Sequence, residues 1–454
     1  MKESKAASPL VTRATSALVA ALCCLTGGAG QAQLVIDSLV GEVTQNEVDT
    51  FIQVVSATPI PTSQWTSTIT HNQLADGKGG MTLEGINTLF VVTGDIPGLA
   101  EEHIQLLNLA IAWTDAWLIH RNDLPLGEQR VMWTGFIEPV WPPNCPTCAG
   151  PTYYESEVGD TIGHMAFTAH NILSTPSVWS DTVPDGDPNQ FGATYLARAQ
   201  TYVSMLELTM DSSFTPYFID PDTLLIRRPS TSQGYLSSFH NVNAWNVQFM
   251  LLNAYWQLAQ CHDILGDQPE RVAKYRSIVR SSTDMFVQNA LPRTAPDGAA
   301  VYDWGYGNFG DVRGRLTGEQ IGVHASYDVW GLTRAYSTGD TSAGAQQMQL
   351  YADTLVHEIT LSIDSAGAAT YASYNDRCCS TQTYNYLPAG FIFLTPYNTD
   401  IYAPAAIADI NSRRQRNDPG LTAGILWAKH WIYVNLGGGP GCQALNPHRL
   451  RQLR

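Results

Sequence analysis

The chain has 454 residues and a formal charge of −16, with 41 acidic against 25 basic side chains. A surface this acidic repels nucleic acid and anionic membranes, so neither is expected as a partner. Charged residues are sparse at 15% and aromatics are frequent at 10%, a balance that leans towards a protein that handles sugar rings.

Residues 1–32 read as a secretory signal: Lys2, Lys5 and Arg13, the apolar run ALVAALCCL, then the small-residue pattern Gly30-Gln31-Ala32. The apolar run is shorter than the roughly 20 residues that span a bilayer. A secreted, extracellular monomer without a membrane span is therefore expected, with one domain over residues 33–454. Losing the signal removes three basic residues and one acidic residue, so the charge becomes −18. Cys145, Cys148, Cys261, Cys378, Cys379 and Cys442 remain. Their even number in an oxidising compartment favours disulfides, without fixing the pairing.

Helical periodicity marks residues 83–93, 99–120, 157–174, 190–211, 242–264, 269–290, 319–337, 343–361 and 420–434. Segments 99–120, 190–211, 269–290 and 343–361 carry one charged face, as solvent-facing helices do, while the others are apolar nearly all round. The two kinds alternate. Short turns at 92–98, 264–270 and 337–343 place Gly94, Gly266 and Gly339 as left-handed helix caps. Long connections at 121–156, 212–241, 291–318 and 362–419 then collect at the opposite end, where binding and chemistry concentrate. The expected fold is all-α, an (α/α) toroid or barrel of six or seven helix pairs.

Polar stripes run along the apolar helices. Glu84 and Asn87 share one face, as do Glu157, Asp160, Thr161, His164, Thr168 and Asn171. His240 and Asn241 precede Asn243, Asn246, Asn253 and Gln257. In the segment GEQIGVHASYDVWG, Gln320, His324, Tyr327 and Gly331 recur at spacings of four, three and four. Buried polar groups bond one another as a rule. Four helices sending such groups towards one axis nevertheless point to a pocket.

That chemistry suits a polyuronate, a sugar polymer carrying carboxylates. A lyase removes the proton beside the carboxylate and expels the neighbouring oxygen, which requires the carboxylate to be neutralised and a group to carry the proton. Tyr327 and His324 fit these roles. So do Tyr384 and Arg377 in the loop YNDRCCSTQTYNY, while Arg121, Arg130 and Trp133 in HRNDLPLGEQRVMWTG supply a further carboxylate clamp and a stacking ring.

Together, HRND…RVMWTG, ESEVGDTIGH, GEQIGVHASYD and DRCC…YNYLPAG resemble the family 38 polysaccharide lyases and fungal alginate-lyase-like proteins. The resemblance implies an α/α barrel of about seven helix pairs cleaving glucuronan or alginate by β-elimination. A tyrosine would serve as base and acid, an arginine and glutamates would manage charge, and Glu319, Arg377 and Tyr384 become candidates. His164, Glu157, His240 and Asn241 complete the expected substrate contacts. The turn PDGDPN at 184–189 lacks the spaced ligands and final Glu of a calcium loop, so no metal and no cofactor is expected. Two rivals stand beside the lyase. A glycoside hydrolase would use two carboxylates among Glu157, Asp160, Asp311 and Glu319. A non-catalytic sugar binder would rely on Trp133, Trp141 and Trp304.

Overall fold

The computed structural model describes residues 33–64, 72–142, 154–227, 243–307, 318–377 and 381–437. The chain divides into Met1–Ala32 and the compact unit Gln33–Arg454. The expected signal lies outside the described residues, and so do His240, Asn241, Asp311 and every cysteine of the mature chain except Cys261. Cys261 is a buried free thiol directed at the carbonyl of Ala166, so it takes no part in a disulfide.

The protein is rich in helix. Twelve α-helical segments are described: α1 (Gln45–Ser56), α2 (Lys78–Gly94), α3 (Ala100–Leu118), α4 (Val158–Leu173), α5 (Tyr195–Thr209), α6 (Thr215–Phe218), α7 (Trp245–Leu265), α8 (Pro269–Asn289), α9 (Val323–Thr338), α10 (Ala345–Asp353), α11 (Tyr402–Ser412) and α12 (Pro419–Leu436). No described helix is long and apolar enough to cross a membrane. Wider π turns prolong α5 over Met210–Phe214 and α10 over Thr354–Ile359. Two small antiparallel sheets lie in the long connections. One pairs β1 (Leu291–Thr294) with β2 (Ala300–Asp303); the other orders β3 (Thr360–Ile363), β4 (Ala369–Ala372) and β5 (Thr383–Tyr384).

Local chemistry sets the helix ends. Thr44 and Glu47 form a capping box at the start of α1. Pro269 and Pro419 open α8 and α12, where a missing N–H costs nothing. Gly266 and Gly339 close α7 and α9 with φ of +66° and +76°, as expected. Gly94 does not: the cap of α2 is Asp95 at φ −91°, and Gly94 is small because a Cβ there would approach the His103 ring at 3.2 Å.

The helices apolar all round pack on one another in sequence order. Helix α2 lies against α4, α4 against α7, α7 against α9, α9 against the 3-10 segment Ala389–Leu394, that segment against α12, and α12 against α2. Helices α3, α5, α8 and α11 flank this circuit on α2, α4, α7 and α12 respectively. Phe286 of α8 meets the rings of Trp245 and Phe249 from α7, together with Trp304 and Tyr351. Helix α1 is tied to α12 by a buried ion pair, with Lys429 Nζ 2.8 Å from both oxygens of Glu47.

Glycine permits the close approach of α4 and α7. A Cβ on Gly159 would sit 2.7 Å from the backbone Cα of Leu251, a contact no rotamer change relieves. Gly159→Ala is therefore expected to destabilise the protein by about 1–3 kcal/mol through overpacking. A lowered denaturant midpoint with an unchanged slope would register it.

Candidate active site

The N-terminal ends of the packed circuit are joined by a series of contacts. Asn72, ahead of α2, donates to Glu157 at the start of α4 at 2.6 Å. Asn243, ahead of α7, donates to Ser156 at 2.7 Å. The first N–H of α7, that of Trp245, donates to the carbonyl of Tyr306, whose ring lies 5.0 Å from that of His324 in the first turn of α9. These helix starts direct their positive dipole ends to one side, which suits an anionic ligand.

At α9, two adjacent residues hold the imidazole and a phenol. Glu319 and Gln320 lie in an extended segment anchored between Trp304 and Ser373, with the N–H of Glu319 bonded to the Trp304 carbonyl at 3.0 Å and that of Ile321 to the Ser373 carbonyl at 3.1 Å. Oε1 of Glu319 takes the Nδ1 side of His324 at 3.2 Å. The amide of Gln320 makes a long contact of 3.5 Å to the Tyr384 hydroxyl. Tyr384 is fixed by β5, where it pairs with Tyr371 of β4. His324 is 33% exposed along its side chain, and among the described residues no group is bonded to its Nε2. Tyr384 is half-buried, and its ring lies 5.2 Å from that of Tyr386.

Two carboxyl groups lie beneath this surface. Burial raises Glu319 above the ordinary carboxylate range against the pull of His324, and its Oε2 is buried without a partner. Burial, reinforced by the charge of Glu319, pushes Asp328 well above its ordinary value, while Trp304 Nε1 donates to one of its oxygens at 2.9 Å. Burial in this way favours the protonated form of each acid. Asp328 is not among the residues that the polar stripes of the sequence single out. Its signal was that it is the one carboxylate of α9.

Tyr327 belongs to a different group, one turn deeper. Its hydroxyl donates to Asp160 Oδ2 at 3.0 Å, and only 4% of the residue is exposed. His164 is completely buried between Glu84, 2.9 Å from Nδ1, and Asp160, 3.1 Å from Nε2. Arg334 donates to Glu84 at 2.6 Å with its guanidinium 4.2 Å from the Trp330 ring, and Asn253 donates to Asp160 at 2.8 Å. Burial disfavours charge on His164, yet Asp160 and Glu84 outweigh it and raise the imidazole to about 10. Burial likewise opposes the ionisation of both acids, but Arg334 and His164 hold Glu84 below the usual range, and His164 does the same for Asp160. Two carboxylates and two cations thus neutralise one another in the core. The Tyr327 phenol is pushed well above its ordinary value by burial and then by Asp160.

Below that group, Asn87, Thr168 and Asn171 bond one another, with Thr114 donating to Thr168. These members of the polar stripes form a buried ladder. His324 and Tyr327, expected to point the same way, have separate surroundings. His324 lies at the rim and Tyr327 within the sealed ion group.

The remaining candidates lie apart. Arg377, at φ +57°, donates to the carbonyls of Glu358, His357 and Thr360, so its guanidinium clamps the end of the π turn rather than projecting towards Tyr384. Arg121 is buried, bonded through both edges to Asp123 and to the carbonyl of Met205. Arg130 pairs with Glu128 at 2.5 Å. Trp133 leans on Tyr154 and Tyr217. Trp141 and Trp304 are buried with Nε1 bonded to Trp117 and Asp328, so neither offers a face to a sugar. The turn at 184–189 is occupied by Arg198, which reaches Gly186 and Asp187. A cavity of about 360 Å³ lies near the far end of α12, lined by Leu355, Ile363, Tyr371, Tyr402, Ile432 and Leu436, with Asp400 its one charged neighbour. It shares no residue with the candidate site.

No protein-family model matches the chain, and no curated protein matches it.

Proposed function

We propose that the protein is a secreted polysaccharide lyase acting on a polyuronate, its packed circuit being the inner wall of an (α/α) toroid and its site lying over the N-terminal ends of that wall. The observation that carries this reading is the Glu319–Gln320 dipeptide, whose neighbouring side chains contact a part-exposed imidazole, His324, and a part-exposed phenol, Tyr384. His324, oriented through Nδ1 by Glu319, presents Nε2 to the uronate carboxylate. Tyr384, as its phenolate, takes the proton from carbon 5. The electron pair left behind forms the C4–C5 double bond, the C4–O bond breaks, and the phenol returns the proton to the departing oxygen. Glu157 and the helix N-termini line the approach.

A glycoside hydrolase is the second reading, favoured by one feature: burial raises Glu319 above the ordinary carboxylate range, the direction required of an acid that protonates a leaving oxygen. The products separate the two. Incubation with glucuronan and with alginate is expected to yield chains ending in an unsaturated uronate, detected by ultraviolet absorbance. Saturated reducing ends alone would overturn the lyase and favour the hydrolase.

A further inference from the structure

Arg377, the cation expected to hold the sugar carboxylate, is bonded to three carbonyls of its own fold. Elimination still requires positive charge near the carboxylate. The clearest source within reach of Tyr384 is a stretch that sequence patterns did not mark. SRRQRND, between α11 and α12, places Arg413, Arg414 and Arg416 within four positions of a chain that has only 25 basic residues.

Arg414 stands apart from its neighbours. Arg413 is the left-handed cap of α11 at φ +60°, and Arg416 bonds Gln33 at 3.2 Å. Arg414 is exposed, with its guanidinium carbon 3.6 Å from the centroid of the Tyr386 ring. That separation is van der Waals contact between a planar cation and a ring face. Stacking of this kind fixes a long side chain while leaving its N–H edge available for a carboxylate. No carboxylate forms an ion pair with Arg414 among the described residues; the two acids within its electrostatic reach are Asp409, which is buried, and Asp418, which is half-buried. Lys78, exposed at the start of α2, adds a second cation near Asp418.

We propose that Arg414, braced on Tyr386 beside Tyr384, is the residue that binds the carboxylate of an acidic sugar and so determines the preference for a uronate over a neutral sugar. Tyr386 acts as a positioning residue for it. This inference rests on the lyase reading of the same site.

The test is a binding measurement in the full chain carrying Tyr384→Phe, so that ligands stay intact. Calorimetry would compare saturated tetrasaccharides of glucuronate and mannuronate with their carboxyl-reduced counterparts, before and after Arg414→Gln, Arg414→Lys and Tyr386→Leu. One uronate tetrasaccharide is expected to bind more tightly than its reduced form. Arg414→Gln should weaken it by about 10–100-fold, the scale of a charge-assisted bond, with no change for the reduced sugar. Arg414→Lys should fall between, and Tyr386→Leu should cost several-fold by releasing the guanidinium. Because Arg414 is exposed, the thermal midpoint should stay within a few degrees. Arg414→Gln with the uronate preference intact overturns the assignment of Arg414 and leaves the site standing. A Tyr384→Phe parent that shows no uronate preference overturns the polyuronate reading itself, and this inference with it.

Discussion

Tyr384→Phe is expected to lower turnover of a uronate polymer by about 10²–10⁴-fold, the contribution of a positioned proton carrier. Its cost to folding should be small, because the hydroxyl makes one long contact to Gln320 in a half-buried setting. Tyr327→Phe should behave in the opposite sense. It removes a buried hydrogen bond to Asp160 and should destabilise the protein by about 1–3 kcal/mol, while activity per folded molecule stays within several-fold. The comparison needs both variants assayed by initial rate and by denaturant midpoint. Equal losses of rate would show that the deep phenol also takes part, and a selective loss in Tyr327→Phe would reverse the assignment.

The opposition between these tyrosines also marks how far the sequence could be read. Periodicity alone located nine helical segments, since an apolar helix repeats its pattern over many turns whatever surrounds it. It located the starts of α3, α4, α8 and α12 to within a residue, but missed those of α2, α5 and α9 by four or five. The helix carrying His324 was expected from residue 319 and begins at Val323, a displacement of about 6 Å along the axis. Spacing reports which residues share a face and says nothing about depth. His324 therefore falls in the first turn, at the rim, and Tyr327 falls below it, within the ion group. In α2 the run Lys78-Gly79-Gly80 hid the first turn because glycine disfavours helix. Glycine is required there because a Cβ on Gly80 would strike the backbone of Ala75.

Arginines were the least legible residues. A guanidinium has five donors, and the sequence does not reveal whether backbone carbonyls already occupy them. Arg377 and Arg121 are so occupied, in folded loops whose paths depend on long-range packing. Helix α11, YAPAAIADINS, was missed for a related reason. With eleven residues and an internal Pro404, its pattern is too short to stand out from a long connection. Short strands such as β5 escape because two to four residues carry almost no period.

The sealed ion group makes the second large prediction, on stability against pH. His164 carries a folded-state value of about 10 against roughly 6.5 in an unfolded chain. A group raised by folding contributes stability that is fully present below its unfolded value and is lost as pH rises through the folded one. Asp160 and Glu84 are lowered by folding, so their contribution is present above about pH 4 and lost on acidification. Between these limits the four charges balance. His164→Ala leaves two buried carboxylates facing Arg334 alone and is expected to cost about 3–5 kcal/mol near neutrality. The decisive readout is the change of that cost with pH. Above about pH 6.5 the wild type should lose roughly 1.4 kcal/mol per pH unit from this imidazole while the variant does not, so the gap between them should narrow towards pH 10. A gap that stays constant across that range would mean that His164 is neutral in the folded protein. Tyr327 would then face an uncompensated carboxylate, and charge balance could not be what seals this part of the core.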